Sequence, residues 1–224
     1  MRISEIFYSV QGEGSLMGVP SIFIRTSGCN LRCSWCDTPY TSWHPEGDEM
    51  SLETILARLA EWPQAGHVVV TGGEPMIAPG IPELTEALRA RGLHITIETA
   101  GTVFAPVACD LMSISPKLSN STPQGPFRNQ HERLRIQPAV LNQLMAICDY
   151  QLKFVIAAES DLAEARQLIA TLRAPASKVI LMPEGISVET QNARSPWVSE
   201  LAKQHGYRFS PRLHIYLYGN KRGT

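Results

Sequence analysis

Short apolar runs alternate with helical patterns along most of this chain, joined by connections of a few residues, and that alternation restricts it to a parallel sheet wound by helices. Pro20-Ser21-Ile22-Phe23-Ile24-Arg25 predicts a first strand, and Ser51 predicts an N-cap for a helix with Leu52, Ile55, Leu56 and Leu59 on one face. His67-Val68-Val69-Val70-Thr71 predicts a strongly apolar strand ended by Gly72-Gly73. A helix over 81–91, with Pro82 in its first turn and Gly92 as its C-cap, leads to a strand from Leu93 to Glu98, and a further strand runs from Asp110 to Ile114. After an irregular stretch at 115–137, a helix around Leu141, Leu144 and Met145 precedes the strand Gln151 to Ile156. A helix at 160–172, a strand from Lys178 to Met182, a helix near 188–204 and a last strand around Leu213 to Leu217 complete the series. Right-handed crossovers place ligands at the C-terminal strand ends. About six units are too few for a closed eight-stranded barrel. The expected fold is therefore α/β: a partial, open (β/α) barrel in a single domain spanning 1–224, with its site at the mouth.

The connection after the first strand carries the chemistry. Gly28-Cys29-Asn30-Leu31-Arg32-Cys33-Ser34-Trp35-Cys36-Asp37-Thr38 sets three cysteines in the spacing Cys-x-x-x-Cys-x-x-Cys. Three thiolates can hold three corners of a [4Fe–4S] cube, which leaves one iron open for chemistry. A zinc site normally takes four ligands, and no second Cys-x-x-Cys exists, although His44 offers a fourth donor for that alternative. The polar neighbours Asn30, Arg32 and Ser34 argue against a chance cluster of core cysteines. Five cysteines cannot all pair, and their clustering at 29–36 suits metal ligation in a reducing compartment. Cys109 and Cys148, in apolar surroundings, are expected to be inert core thiols.

Composition narrows the substrate. The 224 residues carry a net charge of −1 with 44% apolar and 18% charged residues, which fits a soluble globular protein and excludes a broad nucleic-acid footprint. A chain of this length buries about 70–75% of its unfolded surface without disulfide staples. The N-terminus has an early acid and no long apolar run, and nowhere do ~20 apolar residues form a membrane span. A cytoplasmic enzyme acting on a small molecule is the expectation, with no nucleic-acid or membrane partner.

Thr71-Gly72-Gly73-Glu74-Pro75 follows the second strand, where glycines allow close backbone approach of a ligand. Alone this is an ordinary turn. Together with the cysteine loop it resembles the radical S-adenosylmethionine (SAM) superfamily, whose three-cysteine loop follows the first barrel strand and whose Gly-Gly-Glu-Pro element follows the second. In that superfamily the open iron chelates SAM, and one electron cleaves it to a 5′-deoxyadenosyl radical, while the protein positions cofactor and substrate.

Narrower resemblance lies in Val10-Gln11-Gly12-Glu13-Gly14, Phe23-Ile24-Arg25, Cys36-Asp37-Thr38, Ile97-Glu98-Thr99-Ala100-Gly101-Thr102, Ser115-Pro116-Lys117 and Pro211-Arg212-Leu213-His214. These look like the 7-carboxy-7-deazaguanine synthase family. The resemblance is strongest over 10–38 and 67–117 and thin over 120–200. It implies a radical lyase converting 6-carboxy-5,6,7,8-tetrahydropterin to 7-carboxy-7-deazaguanine with loss of ammonia, on the route to queuosine and related deazapurines of tRNA modification. It also implies hydrogen abstraction at the pterin C6, ring contraction, return of the hydrogen to regenerate SAM, assistance by Mg²⁺, a reductant such as flavodoxin, and a homodimer. The short spacing between the first two cysteines is general to the superfamily, so the subfamily rests on the two ends of the chain.

The same resemblance implies site residues. Cys29, Cys33 and Cys36 would hold the cluster. Val10, Gln11, Gly12, Arg25 and Thr71 would contact substrate, Gln11 by an amide that both donates and accepts and Arg25 by a bidentate grip on a carboxylate. Trp35, Cys36, Asp37, Gly73, Ser115, Pro116 and Lys117 would contact SAM. Thr38 would bind Mg²⁺ through a hard oxygen, with Asp37 as its outer partner. Gln151-Leu152-Lys153-Phe154 corresponds to a further SAM-flanking strand. Glu13 and Glu98 are acids facing the mouth, and the Thr224 carboxylate is a candidate to approach the pterin. A radical-SAM activase for a protein partner, and a zinc module without catalysis, are the competing readings.

Overall fold

In the computed structural model, which describes residues 1–224, the apolar runs form a sheet whose central strands are buried on both faces. Such strands read as near-continuous Val, Ile and Leu rather than as alternating patterns. In chain order the elements are β1 (Arg2–Val10), β2 (Pro20–Thr26), α1 (Pro39–Ser42), β3 (Asp48–Glu49), α2 (Leu52–Leu59), β4 (His67–Gly72), α3 (Ile81–Arg89), β5 (His94–Thr99) and β6 (Leu111–Ile114). There follow α4 (Arg128–Leu134), α5 (Pro138–Ile147), β7 (Asp149–Ile156), α6 (Asp161–Leu172), β8 (Val179–Pro183), α7 (Val188–His205), β9 (Arg208–Phe209) and α8 (Leu213–Tyr218).

One nine-stranded sheet runs in the order β3-β1-β2-β4-β5-β6-β7-β8-β9. From β2 to β9 every neighbouring pair is parallel, whereas β1 is antiparallel to both β2 and β3. The sheet ends at β3 and β9 without closing. Its six main parallel strands, β2 and β4 to β8, are the open partial barrel expected of the sequence. Helix starts and stops follow local chemistry: the Ser51 and Ser187 hydroxyls accept from the N–H of Thr54 and Thr190 to cap α2 and α7, and Gly206 ends α7 in a left-handed conformation.

Four features depart from the sequence reading. The run from Leu213 to Leu217 is not a strand but helix α8. A five-residue apolar run does not distinguish the two, and the free edge of β8 is already taken by Arg208 and Phe209. The segment satisfies its backbone internally and buries Ile215 alone. The stretch 115–137 is less irregular than expected, holding a 3-10 turn at Ser119–Ser121 and helix α4. Strand β1, absent from the sequence reading, buries Ile3 and Phe7 against β2 while its other residues stay partly exposed, a pattern that lacks strict alternation. Of the two remaining thiols, Cys109 is buried as expected, but Cys148 at the end of α5 is partly exposed.

Candidate active site

The C-terminal ends of the parallel strands surround a cavity of about 470 Å³, within the usual size range of small-molecule sites. Its lining comes from the turn after β1, the loop between β2 and α1, the ends of β4 to β8, and α8 with the tail beyond it.

Cys29, Cys33 and Cys36 line one wall as free thiols. Burial pushes the Cys29 thiol up to about 11 and the Cys33 thiol up to about 12, so ligation must displace their protons. The loop is shaped around its sulfurs: the Leu31 N–H reaches the Cys29 Sγ at 3.4 Å, the Ser42 Oγ lies 3.2 Å from the Cys36 Sγ, and the Trp43 indole donates to the Cys33 carbonyl at 3.0 Å. No three His, Cys, Asp or Glu side chains gather about one point to hold a single ion. A [4Fe–4S] cube takes one thiolate per iron, so its ligands need not share a centre, and the residues fit that group. His44, the fourth zinc donor considered from sequence, is exposed and outside the cavity lining.

Beside the sulfurs stands the Gly-Gly-Glu-Pro turn. A Cβ on Gly73 would come within 2.3 Å of the Gly28 carbonyl oxygen, backbone against backbone, so the turn and the root of the cysteine loop touch because no side chain separates them. Glu74 does not face a ligand. Fully buried, it accepts from the Thr99 hydroxyl at 2.7 Å and the Ala100 and Met76 N–H groups at 2.8 and 3.1 Å, tying the ends of β4 and β5 together. Burial nonetheless raises its carboxyl above the ordinary value.

A charged cluster lines the same cavity. Lys153 on β7 donates to Glu13 at 2.8 Å and lies 3.6 Å from Glu98, while Arg212 donates to Glu13 at 3.0 Å, to the Gly185 carbonyl at 2.9 Å and to Asp37. Burial pushes the Glu13 carboxyl up, but Lys153, Arg212 and His214 outweigh it and hold the group well below the carboxylate range. Burial likewise raises Asp37, and Arg212 reverses the sign. Gln11 and Thr71 meet at Glu98, donating to its two oxygens at 3.2 and 3.0 Å, and the Gln11 side-chain Oε1 accepts from the Glu13 N–H at 3.1 Å. Arg25 pairs with Glu5 at 2.6 Å, and Tyr40 donates to the same carboxylate oxygen at 2.8 Å.

The cavity thus gathers Val10, Gln11, Gly12, Arg25, Cys29, Cys33, Trp35, Cys36, Asp37, Thr38, Thr71, Gly73, Ser115 and Lys117. Pro116, expected to touch SAM, is buried and does not line it. Within the strand 151–154, Lys153 faces the cavity, whereas Gln151 lies outside the lining and accepts from the Ser15 N–H while donating to Ser113. The Thr38 hydroxyl donates to Asp37 at 3.3 Å, so two hard oxygens stand together next to Cys36. Sequence reasoning assigned no role to Arg212 or His214, although Pro211-Arg212-Leu213-His214 had stood out as a motif. The available signal was an Arg and a His two residues apart in an otherwise apolar run.

Comparison with known proteins agrees with this geometry. The profile of the Radical SAM superfamily matches residues 23–139, from β2 to α5, and this chain belongs to that superfamily. A 7-carboxy-7-deazaguanine synthase of Rhodopirellula baltica is 47% identical over all of this chain and 89% of its own length; one from Halobacterium salinarum is 44% identical over 98% and 91%. The crystal structure of QueE from Escherichia coli superposes with a TM-score of 0.71 at 28% identity, covering 95% of this chain and 94% of that one. Within the superfamily, the chain belongs to the 7-carboxy-7-deazaguanine synthases.

Proposed function

We propose that this chain, as one radical SAM domain over 1–224, converts 6-carboxy-5,6,7,8-tetrahydropterin to 7-carboxy-7-deazaguanine with loss of ammonia. The observation that carries the reading is one cavity lined both by three thiols and by a cluster of paired ions. A reducible iron centre and a polar heterocycle would share that space. The cluster and SAM, when bound, supply a one-electron cleavage that generates a carbon radical.

The protein's own part is positional. Arg25 binds the pterin carboxylate through its guanidinium fork, with Glu5 retaining the Nε–H and fixing the plane. Gln11 and Thr71 hold Glu98 with both oxygens partnered, which aims that carboxylate at the exocyclic nitrogens of the ring. Lys153 stays protonated, because burial lowers its pKa less than Glu13 and Glu98 raise it. It provides fixed positive charge without a proton to exchange near neutrality. The Trp35 indole, anchored by donation to the Asn120 carbonyl at 3.0 Å, and Lys117, whose Nζ lies 5.7 Å from that ring, flank the SAM side with Gly73 and Ser115. Thr38 and Asp37 would hold Mg²⁺ beside substrate oxygens. The reading includes a homodimer, a flavodoxin-like reductant and a cytoplasmic setting, in which thiols remain reduced. No helix is long and apolar enough to cross a membrane.

The deciding experiment loads the protein with iron and sulfide without oxygen, reduces it, and supplies SAM, Mg²⁺ and the carboxytetrahydropterin. Mass spectrometry should detect 7-carboxy-7-deazaguanine. SAM cleavage without that product rejects the substrate, and no cleavage at all rejects the cluster reading.

A further inference from the structure

The cysteine loop lacks regular structure, so its backbone N–H groups need partners from elsewhere in the chain. Two come from one remote cluster. The Arg32 N–H, immediately before Cys33, donates to Nδ1 of His131 at 3.2 Å, and the Ser34 N–H, immediately after it, donates to the Ser121 carbonyl at 2.9 Å. The His131 Nε2 lies 2.9 Å from the Ser121 hydroxyl, which donates to the Leu118 carbonyl at 2.6 Å.

These contacts determine every proton. Nδ1 accepts, so the ring carries its hydrogen on Nε2 and gives it to Ser121 Oγ, whose own hydrogen goes to Leu118; the tautomer follows from the network. His131 and Ser121 are 1% and 0% exposed, and neither lines the cavity. Four residues before His131, at the N-cap of α4, the Phe127 ring lies under the Arg32 guanidinium at 5.4 Å, so α4 and the residue that leads into it hold both the side chain and the backbone of Arg32.

We infer that His131 is a positioning residue that locks the metal-binding loop around Cys33 before any cluster arrives, through its Nδ1 acceptor to the Arg32 N–H. The inference rests on the reading of Cys29, Cys33 and Cys36 as cluster ligands, and His131 touches no substrate or cofactor. By fixing the peptides on both sides of Cys33, the His131 and Ser121 pair sets where that sulfur stands. It thereby controls both how readily the loop accepts a cluster and how long it keeps one.

The test pairs two polar replacements. The amide oxygen of His131→Asn overlays Nδ1 and can still accept from Arg32, whereas His131→Gln places its amide nitrogen at Nε2, keeping the donor to Ser121, and leaves Arg32 no acceptor. Hydrogen exchange of the cluster-free protein should show the Arg32 amide opening about tenfold faster in the Gln variant, the change expected for one lost hydrogen bond, and near wild-type rates in the Asn variant. Unchanged exchange in strands β4 to β7 certifies both variants as folded. After anaerobic loading, iron release to a chelator should quicken in the Gln variant and be restored in Asn. Equal exchange at Arg32 in the wild type and both variants overturns the inference, as does faster exchange with unaltered iron release. Failure of the wild-type protein to bind a cluster sinks the ligand reading instead, and exchange at Arg32 still decides the role of His131.

Discussion

The Lys153 ammonium stands 2.8 Å from the Glu13 carboxylate across 140 residues of sequence, and both side chains are largely shielded from water. The pair joins the turn after β1 to β7 and, with Arg212, builds the charged wall of the cavity.

Replacing Lys153 with Met leaves Glu13 and Glu98 without that cation. Removing one member of a buried pair costs about 3–5 kcal/mol, so the urea midpoint of the cluster-free protein should fall accordingly. Adding Glu13→Gln should recover part of the loss, since less charge is then stranded. Glu13 also gives a sign for acid: its folded pKa lies below the ordinary 4.5, so its stabilisation is complete above that pH and is lost as the pH falls further. A midpoint unaffected by Lys153→Met would remove the pair from the account of stability.

Cys33→Ala takes one of three thiolates from the loop. The variant should purify without the brown colour of an iron–sulfur protein, with iron per chain well below wild type after anaerobic loading, and it should not cleave SAM. Retained iron and turnover would show that Cys33 is not a ligand.

Thr38→Ala removes one of the two hard oxygens beside the cysteine wall. SAM affinity should survive while the Mg²⁺ concentration for half-maximal turnover rises about tenfold, an effect on the order of one metal–oxygen contact. The same Mg²⁺ response in both proteins would take Thr38 out of the site.

Gly73→Ala places a methyl 2.3 Å from the Gly28 carbonyl oxygen. Backbone there cannot yield as a side chain would, and overpacking typically costs about 1–3 kcal/mol. We expect a lower melting temperature and weak SAM binding by calorimetry. Wild-type SAM affinity would contradict a close contact between turn and loop.

At the far end of the sheet, His67 and His94 face each other with ring centroids 4.6 Å apart. Burial first, and His94 second, lowers the His67 pKa below its ordinary 6.5. The unfolded chain therefore takes up the proton more readily, and stability, full above about pH 6.5, declines as the pH falls until the folded ring also protonates. His67→Gln should flatten the urea midpoint between about pH 7 and 5, and an unflattened profile would show that another group governs that range.

Much of this was legible in the residues. Val68 to Val70 and Leu152 to Ile156 are buried on both faces and announce parallel strands, and the cysteine spacing needs no tertiary context to point to a metal. What escaped depended on partners far along the chain. Arg212 stands in a motif without a role until Glu13 and Asp37 are seen around it, and His131 lies in a stretch that reads as irregular until its ring meets the Arg32 N–H. The helix at Leu213–Tyr218 escapes because a short apolar run fits helix and strand alike.

Arg212 reaches Glu13 over 199 residues and Asp37 over 175, so the charged side of the cavity exists only once loops of that length have closed. Closing them costs chain entropy before any contact rewards it, whereas Cys29, Cys33 and Cys36 are near neighbours in the chain. The sulfur loop is thus assembled locally and the charged rim only by topology.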